Sequence, residues 1–514
     1  MRLCGIDAPF ERFPAPLPMW RAKISREQWL SAAVAVKDGG GRLLSLWGAD
    51  YRSMDGSFAI SVAYVVGEGL VWLILPLVAD MPYPDLSAVF PAAARMQRAV
   101  ADLLGLQAGG ASDTRPWLRH DAWPADYFPL RQQADGHEQF PDQAAEPYAF
   151  VRVEGDGVHE IAVGPVHAGI IEPGHFRFSV VGEKVLRLEE RLGYTHRGIE
   201  KQFGHTAPLE GHRLAGRISG DSTVAYAWAY CMALESIGQS EIPTCAQWTR
   251  ALLLERERVA NHLGDLGALG NDAGFSFGLS QFSMLKENCL RLNQRSFGHR
   301  LMMDCIVPGG STVVIKPRML EALALQCEEL AYEVSQLQLI YEEHAGLQDR
   351  FIQAGRVRPA LAAELGLCGL AGRASGQAMD LRADQPWTPY AELEVKMATH
   401  RNGDVAARVI VRFEEVFESL RLIREICERL GSMQVEPNRP PVHLHGCGMG
   451  WVEGWRGEVL IALDVREGRI LRCHAHDPSW HNWPLLEHAI IGNIVPDFPL
   501  INKSFNLSYA GHDL

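Results

Sequence analysis

Five long segments of this chain repeat apolar residues at spacings of three and four, the pattern of amphipathic helices. Little strand-like sequence separates them, so the helices that they form are expected to pack on one another as a bundle. The predicted helices span residues 223–236, 244–263, 281–305, 318–344 and 405–430. Stretches with the alternation of antiparallel strands flank this bundle, at 150–153, 160–163, 176–181, 185–188, 458–464 and 469–475.

The first part of the chain has a different pattern. Residues rich in β-branched and large apolar side chains predict strands at 43–47, 57–66 and 69–78, and a helix fits 87–106. Residues 132–147 contain one large apolar side chain, Phe140, and are therefore predicted to be a linker. A chain of 514 residues is too long for one ordinary core. We therefore predict an α+β protein, with a small α+β domain at 1–131, a linker at 132–147, and a long-helix bundle with small antiparallel sheets at 148–514.

Composition excludes some classes of function. The formal net charge of −13 and the lack of a Lys/Arg cluster argue against nucleic acid as the main partner. The first residues, MRLCGIDAPFERF, lack the apolar stretch of a signal peptide, so we expect a cytoplasmic protein. The most apolar segment, 69–79, is too short to cross a bilayer, so any membrane association is expected to come through partner subunits.

The ten cysteines are spread along the chain, and no two are closer than fourteen residues. Local thiolate sites for zinc, nickel or iron–sulfur clusters usually need at least one tight pair, because two ligands from one turn define half of the coordination sphere. We interpret these residues as reduced thiols buried as small hydrophobic groups, with a site built from distant single cysteines as the alternative.

Residues 164–235 carry the motifs that identify a family. They contain GPVH at 164–167, EPGH at 172–175, YTHRGIEK at 194–201, and a Gly/Ser loop that enters an apolar helix. With GNIVPDFPLI at 492–501, this order resembles the large subunit of energy-converting, formate hydrogenlyase-type NiFe hydrogenases and the quinone-pocket (49-kDa) subunit of respiratory complex I. Residues 113–131, ending in FPLR, are similar to the end of the 30-kDa-type subunit of complex I. The resemblance thus implies that two subunits are fused in one chain.

The resemblance also implies that the Ni–Fe ligands are lost. Where these hydrogenases have two Cys-x-x-Cys pairs, this chain has Ser219 and Ser222 before the apolar helix, and Ser508 and Gly511 near its end. Hydroxyls are hard, weak ligands and glycine has no side-chain ligand, so we expect no Ni–Fe centre. The sequence stops at Leu514, and we expect it to lack the tail that hydrogenase maturation removes.

The candidate catalytic residues follow from the same resemblance. His175 and His167 correspond to the loop whose second histidine meets the quinone in complex I, although their spacing of eight is the hydrogenase form. Arg456, in EGWRGE at 453–458, corresponds to the arginine over the metal, and Asp221 lies in the Gly/Ser loop. A quinone carbonyl needs a donor and a proton source, for which His175 with Asp221, Tyr194 or Tyr226 are candidates. The alternative is that both histidines cap strands in a protein–protein interface.

Two further motifs have ordinary structural interpretations. The glycines at 446, 448 and 450 do not open a helix within a βαβ unit, so we interpret them as a turn rather than as a dinucleotide fingerprint. His262 and Asp272 resemble complex I positions thought to respond to quinone reduction, although each alone is expected to be an ordinary polar group.

These features predict a subunit of an NADH:quinone oxidoreductase-like or hydrogenase-like complex, peripheral on the inner face of the cell membrane. It would form a metal-free quinone (or other acceptor) pocket beside an iron–sulfur small subunit, with a ferredoxin-like subunit and membrane subunits as further partners, and would couple electron transfer to ion translocation. The alternative is a non-catalytic scaffold or coupling subunit. An open channel at Ser219 and Ser508 favours the pocket, whereas a cavity filled by Trp455, Tyr509 or the C-terminal segment favours the scaffold.

Overall fold

A computed structural model describes residues 2–3, 5–78, 81–141, 147–167 and 171–514. Its first large element is a five-stranded sheet with the strand order β1-β2-β5-β4-β3, in which β2 and β5 pair in parallel and the other neighbours are antiparallel. The strands are β1 (Glu11–Arg12), β2 (Met19–Lys23), β3 (Arg42–Tyr51), β4 (Ser57–Val66) and β5 (Gly69–Leu77).

Two helices accompany this sheet. Helix α1 (Arg26–Asp38) begins with a capping box in which Ser25 and Gln28 bond each other's backbone N–H groups. Helix α2 (Ala93–Leu104) packs on β3 and ends at Gly105 in the left-handed conformation. The predicted strands and the second helix are therefore present, while β2 and α1 were not predicted. Short elements complete this part, at Arg2–Leu3, Ile6–Asp7, Arg52–Asp55, Tyr83–Pro84 and Ala108–Gly109.

The predicted linker contains residues 142–146, which lie outside the described residues, so the domain boundaries at 131 and 148 stay a prediction. After it comes an antiparallel sheet of β6 (Val158–Val163), β7 (His175–Val181) and β8 (Lys184–Arg191). The strand predicted at 150–153 is irregular in the structure.

All five predicted long helices form. They are α3 (Thr223–Gly238), α4 (Thr244–Asp272), α5 (Ser276–Phe297), α6 (Pro317–Glu343) and α7 (Val405–Ser432). Helix α4 packs between α5 and α7, and α6 packs on α7. Helix α5 ends eight residues before the predicted end, because Gly298 adopts a left-handed conformation (φ 83°) that stops the helix.

Helix α3 is buried on nearly every side and lies on the sheet of β9 (Gly446–Glu453), β10 (Glu458–Arg466) and β11 (Arg469–His476). Two glycines of β9 face it. A Cβ atom on Gly448 would lie 2.1 Å from the carbonyl oxygen of Ala233, and one on Gly450 would lie 1.8 Å from that of Ala229. The interpretation of this glycine motif as a turn was therefore wrong: the glycines lie in a strand and let a helix approach its backbone closely.

The C-terminal segment contains α8 (Ser479–Ala489), α9 (Phe498–Phe505) and a last short helix, Tyr509–Asp513. The α+β class is confirmed. No helix in the described part of the chain has the length and apolar character required to cross a bilayer. The remaining short elements are Ile199–Phe203, Gly211–Ala215, Gly220–Ser222, Ile306–Val307, Gly310–Ser311, Ala345–Phe351, Pro359–Leu365, Gly369–Ala374, Leu381–Asp384, Tyr390–Leu393 and Val495–Asp497.

The N-terminal sheet packs against the C-terminal one. Ser45 on β3 hydrogen-bonds His474 on β11 at 2.8 Å, and Trp47 stacks on the same imidazole with ring centroids 4.6 Å apart. Arg42 forms an ion pair with Glu458 on β10. These contacts join β3 directly to the sheet of β9, β10 and β11, so the two parts of the chain share a packed interface.

Candidate functional site

The centre of the candidate site is an ion pair between Asp221 and Arg456. Asp221 lies in the short turn Gly220–Ser222 that leads into α3, and Arg456 lies in the turn between β9 and β10. The two guanidinium NH₂ groups reach the two carboxylate oxygens at 2.8 and 2.5 Å. Such a bidentate pair is short, strong and directional.

The four positions where hydrogenases have cysteine ligands meet beside this pair, although nearly three hundred residues separate the two halves. Ser219 and Ser508 hydrogen-bond each other through their hydroxyls at 3.0 Å, and Ser219 also donates to Asp221 at 2.7 Å. Ser222 accepts from Arg456 at 3.2 Å. The backbone N–H of Gly511 donates to the Ser508 hydroxyl at 2.9 Å. All four residues are buried.

This donor set does not fit a Ni–Fe centre held by thiolates. The hydroxyls are already bonded to one another or to the ion pair, and Gly511 offers no side-chain ligand. A Cβ atom at Gly511 would lie 2.4 Å from Oδ2 of Asp477 and 2.9 Å from the Ser508 hydroxyl, so even a small side chain has no room. Within the described ranges, no group of three or more His, Cys, Asp or Glu residues is placed to hold a metal ion.

The ion pair determines the charge state of Asp221. Burial raises the pKa of this carboxyl, but the Arg456 guanidinium outweighs burial and lowers the pKa to about 2. The Asp221 side chain nevertheless keeps 38% of its surface exposed, against 5% for Arg456. Asp221 is therefore an anion at neutral pH and forms the open edge of an otherwise closed site.

Aromatic and amide side chains enclose the rest of the pair. The Trp455 ring lies 4.0 Å from the Arg456 guanidinium, and its indole N–H donates to the Asp221 carbonyl at 2.8 Å. Asn261 on α4 donates to the same carbonyl oxygen at 2.8 Å. The remaining guanidinium N–H of Arg456, at Nε, donates to the Asn506 carbonyl at 2.6 Å. All three guanidinium nitrogens therefore have partners within the chain.

A small cleft opens beside Asp221, between α4 and α5, with a cavity volume of ≈70 Å³; its wall includes Glu257, Asn261, Lys286 and Arg300. The Glu257 carboxylate accepts the first N–H groups of α3, from Val224 at 2.7 Å and from Ala225 at 3.3 Å. Burial raises the pKa of Glu257 to about 8 in spite of these bonds. Glu257 therefore holds a proton at neutral pH, next to Asp221, which is an anion.

The two candidate histidines lie in a separate loop. His175, the first residue of β7, is 8% exposed and hydrogen-bonds the Gly164 carbonyl at 3.3 Å, while its other ring nitrogen accepts from Arg177 at 3.4 Å. His167 hydrogen-bonds the Gly174 carbonyl at 2.8 Å. Burial lowers the pKa of His175, which favours the neutral ring. Residues 168–170 between the histidines lie outside the described residues.

This histidine loop contacts the last helix rather than the ion pair. Glu172 accepts a hydrogen bond from the Ala510 backbone at 3.1 Å, and Gly174 packs on the Tyr509 ring. In the part of the chain that the structure describes, no hydrogen bond joins His167 or His175 to Asp221 or Arg456. The catalytic roles assigned to the four residues stay predictions.

The two tyrosines considered as proton donors also lie apart. Tyr226, on α3, is fully buried and donates to Asp477 at 2.7 Å. Tyr194 is 38% exposed and packs on the His120 ring. Of the two, only Tyr226 lies close to the lost-ligand positions, because its partner Asp477 is the carboxylate next to Gly511.

Sequence reasoning missed a group of buried charges behind Trp455, here called the buried charge cluster: Glu255, Arg258, His262, Arg373, Asp380, Arg382, Glu415 and Glu453. None is more than 3% exposed. A signal for it was present, since residues 255–258 read Glu-Arg-Glu-Arg in an otherwise apolar helix. Four successive residues cover a full helical turn, so a helix packed on several sides must bury some of these charges.

Two family models match separate parts of the chain, and known proteins match nearly all of it. Residues 22–140 match the model of the 30-kDa subunit of respiratory-chain NADH dehydrogenase, and residues 272–445 match that of its 49-kDa subunit. Formate hydrogenlyase subunit 5 of Escherichia coli is 30% identical over 92% of this chain and 85% of that protein. Hydrogenase-4 component G of the same organism is 29% identical over 92% of this chain and 84% of its own length.

A fused relative and a solved structure agree with this match. The C/D subunit of NADH-quinone oxidoreductase from Phocaeicola vulgatus is 27% identical over 74% of this chain and 77% of its own length. A chain of the membrane-bound sulfane sulfur reductase, an archaeal respiratory membrane complex, superposes with a TM-score of 0.65 at 24% identity, over 70% of this chain and 99% of that one. That structure supports the fold alone.

Proposed function

Because this chain belongs to the family of formate hydrogenlyase subunit 5 and the complex I 49-kDa and 30-kDa subunits, we propose that it is a subunit of a membrane-bound oxidoreductase complex that couples electron transfer to ion translocation. The match along 92% of the chain carries this proposal, since it includes both parts of the fusion. Partners would include an iron–sulfur small subunit, a ferredoxin-like subunit and membrane subunits, with this chain peripheral on the inner face of the membrane.

Within such a complex, the geometry favours a coupling role for this chain. At the lost-ligand positions, Ser219, Ser222, Ser508 and Gly511 bond one another or the ion pair. Trp455 covers Arg456, and each polar group of Arg456 is bonded within the chain. The cleft at Asp221, ≈70 Å³, is smaller than the ~300–1,000 Å³ typical of ligand pockets. A site closed in this way responds to charge and contact at its edge without binding a large substrate itself.

A second candidate function, an acceptor pocket, is favoured by the exposed edge of Asp221. An iron–sulfur subunit docked over this edge would enlarge the cleft with its own residues and deliver electrons to a quinone or another organic acceptor. His175, His167, Asp221 and Arg456 would then position the acceptor and its protons, and the chemistry of electron transfer would belong to the partner's cluster and the quinone.

The test uses the intact complex, purified from membranes through a tag on this chain. Inhibitor-sensitive quinone reduction and ion uptake into vesicles are measured for wild type, Asp221→Asn and His175→Ala, with the exposed His205→Ala as the matched control. In the coupling role, Asp221→Asn lowers the ions moved per electron and leaves the KM for quinone unchanged. In the pocket role, both site variants lower turnover or raise that KM.

Either pattern supports membership of an electron-transferring complex and assigns the role of this chain. A wild-type complex that assembles with an iron–sulfur partner, yet neither reduces an acceptor nor moves ions, would contradict the proposed function.

A further inference from the structure

The buried charge cluster contains more acid than base. Its members are four carboxyls (Glu255, Asp380, Glu415 and Glu453), three guanidiniums (Arg258, Arg373 and Arg382) and one imidazole, His262. A buried carboxylate without a compensating cation is costly, and in practice such a group takes up a proton instead. Three permanent positive charges can balance three carboxylates, so one proton remains to be placed on the fourth carboxyl or on His262.

The contacts of each carboxyl indicate which one holds that proton. Glu415 bonds Arg373 at 2.7 Å and His262 at 2.8 Å. Asp380 bonds Arg382 at 2.6 Å. Glu255 bonds Arg382 at 3.0 Å and also accepts from the hydroxyls of Ser419 and Tyr390, both at 2.7 Å. These three carboxyls are well compensated.

Glu453 is the carboxyl with the weakest compensation. One of its oxygens accepts from Arg373 at 2.9 Å. Among the described residues, the other accepts only from the Leu381 backbone at 3.3 Å. Arg373 is shared with Glu415 and, at 3.8 Å, with Asp380, so its charge is divided among three acids.

The groups around Glu453 disfavour its charged form. Asp380 and Glu458 face it as like charges from neighbouring elements. Arg258 faces it as a cation, but its two NH₂ groups donate to the backbone carbonyls of 453 and 454 and its Nε donates to Glu255 at 3.4 Å. The Cys368 thiol and Arg42 also lie close enough to interact electrostatically with Glu453. Burial first, and then Asp380, raise the pKa of Glu453 to about 7, whereas burial lowers the pKa of His262.

Glu453 is buried but lies in the wall of a cleft. It lines a cleft of ≈320 Å³ between the N-terminal sheet and β9, together with Asp380, Asp384, Glu458 and Arg42. Since water occupies ~30 Å³ per molecule in the liquid, this cleft has room for several waters. Gly40 and Gly67, which also line this cleft, are exposed, so the cleft opens to bulk solvent.

The geometry points to Glu453 as a proton-binding site of this chain, loaded from water through the cleft behind the Asp221–Arg456 ion pair. The Glu453 carboxylate takes one proton from water and becomes a neutral acid, which frees Arg373 to bond Glu415 more strongly. His262, bonded to Glu415, packs edge-on against Trp455 with ring centroids 6.0 Å apart, and Trp455 stacks on Arg456. Protonation is thereby connected to the ion pair through a short series of direct contacts.

The physiological meaning of this site rests on the proposed function, but proton binding itself can be tested on the purified full-length chain. Infrared difference spectra report a protonated carboxyl through its C=O stretch. In wild type we expect a band that disappears as the pH rises through about 7. Glu453→Gln removes this band, whereas Glu467→Gln, an exposed glutamate between β10 and β11, leaves it unchanged.

Two outcomes would overturn the site. Wild type could show no carboxyl that titrates around pH 7, or the band could persist in Glu453→Gln and vanish in a variant of another carboxyl whose pKa burial raises, namely Glu257→Gln, Glu190→Gln or Asp384→Asn. If Glu453→Gln does not fold, Glu453→Asp keeps the acid, and an unshifted band in that variant overturns the assignment. In the intact complex, Glu453→Gln is expected to lower the ions moved per electron. A wild-type complex that moves no ions defeats the proposed function, while the infrared result still decides the proton site.

Discussion

The Asp221–Arg456 ion pair and the buried charge cluster both contact Trp455, but they shift the pKa of a carboxyl in opposite directions. Asp221 has one guanidinium to itself and keeps its charge, with a pKa of about 2. Glu453 shares one guanidinium with two other acids and has a pKa of about 7. Both carboxyls contact arginine at hydrogen-bond distance, so contact alone does not determine the charge state.

The difference shows that the charge state of a buried carboxyl depends on the balance of acids and bases around it more than on any single ion pair. One acid with one base forms a closed, permanently charged contact. Four acids with three bases leave one carboxyl to bind a proton near neutral pH. In this molecule the first arrangement lies beside Ser219, Ser222, Ser508 and Gly511, and the second adjoins it through Trp455.

The variant with the largest expected effect on stability removes Arg373, the guanidinium that Glu415 and Glu453 share. Arg373→Met is expected to lower the free energy of unfolding by ~3–5 kcal/mol, because it leaves Glu415 and Glu453 buried without their guanidinium. Urea unfolding at neutral pH measures the change. The control is Arg424→Met, whose ion pair with Glu328 is half exposed, with an expected change below ~1 kcal/mol. Equal effects in the two variants would contradict the balance argument.

A second variant, with a smaller expected effect on stability, tests whether packing leaves no room for a side chain at Gly511. Gly511→Ala places a Cβ atom 2.4 Å from Asp477 and should displace the carboxylate that Tyr226 bonds. We expect a loss of ~1–3 kcal/mol in thermal or urea unfolding. Gly67→Ala, at the rim of the open cleft, meets no atom within 4 Å and serves as the control. A neutral result at Gly511 would mean that the site has room for a side chain and that a bound group can enter it.

The third test follows the pH dependence of stability. Below the ordinary histidine pKa of about 6.5, the unfolded chain binds more protons than the folded one at the eight histidines whose pKa is lowered, so stability rises with pH. Between 4.5 and about 7 or 8, Glu453 and Glu257 hold protons that the unfolded chain has released, so stability falls with pH. The lowered histidines are His120, His175, His212, His262, His474, His476, His481 and His512.

Stability is therefore expected to be greatest near pH ~6.5 and to fall above it. Each proton contributes a slope of ~1.4 kcal/mol per pH unit. Glu257→Gln should remove one such slope between ~6.5 and about 8, as measured by urea unfolding across that range, while Glu467→Gln should not. A slope that Glu257→Gln leaves unchanged would show that this carboxyl is ionised throughout.

Periodicity was sufficient for the regular elements. The five long helices and the strands at 57–66, 176–181 and 458–464 follow from spacings that depend only on neighbours along the chain. Helix α1 was missed although its capping box, Ser25 to Gln28, could be read directly. The glycines of β9 were misread because their reason is the approach of α3, which local sequence does not contain.

The sequence by itself determined the family, the long helices and the chemical identity of the donors at Ser219, Ser222, Ser508 and Gly511, since these depend on residue type and order. Only the tertiary structure decided that Ser219, Ser508 and Gly511 bond one another, that the histidine loop contacts the last helix, and that Glu453 lacks a cation of its own. The physical reason is that hydrogen bonding and pKa depend on distances through space, and here those distances join residues hundreds of positions apart.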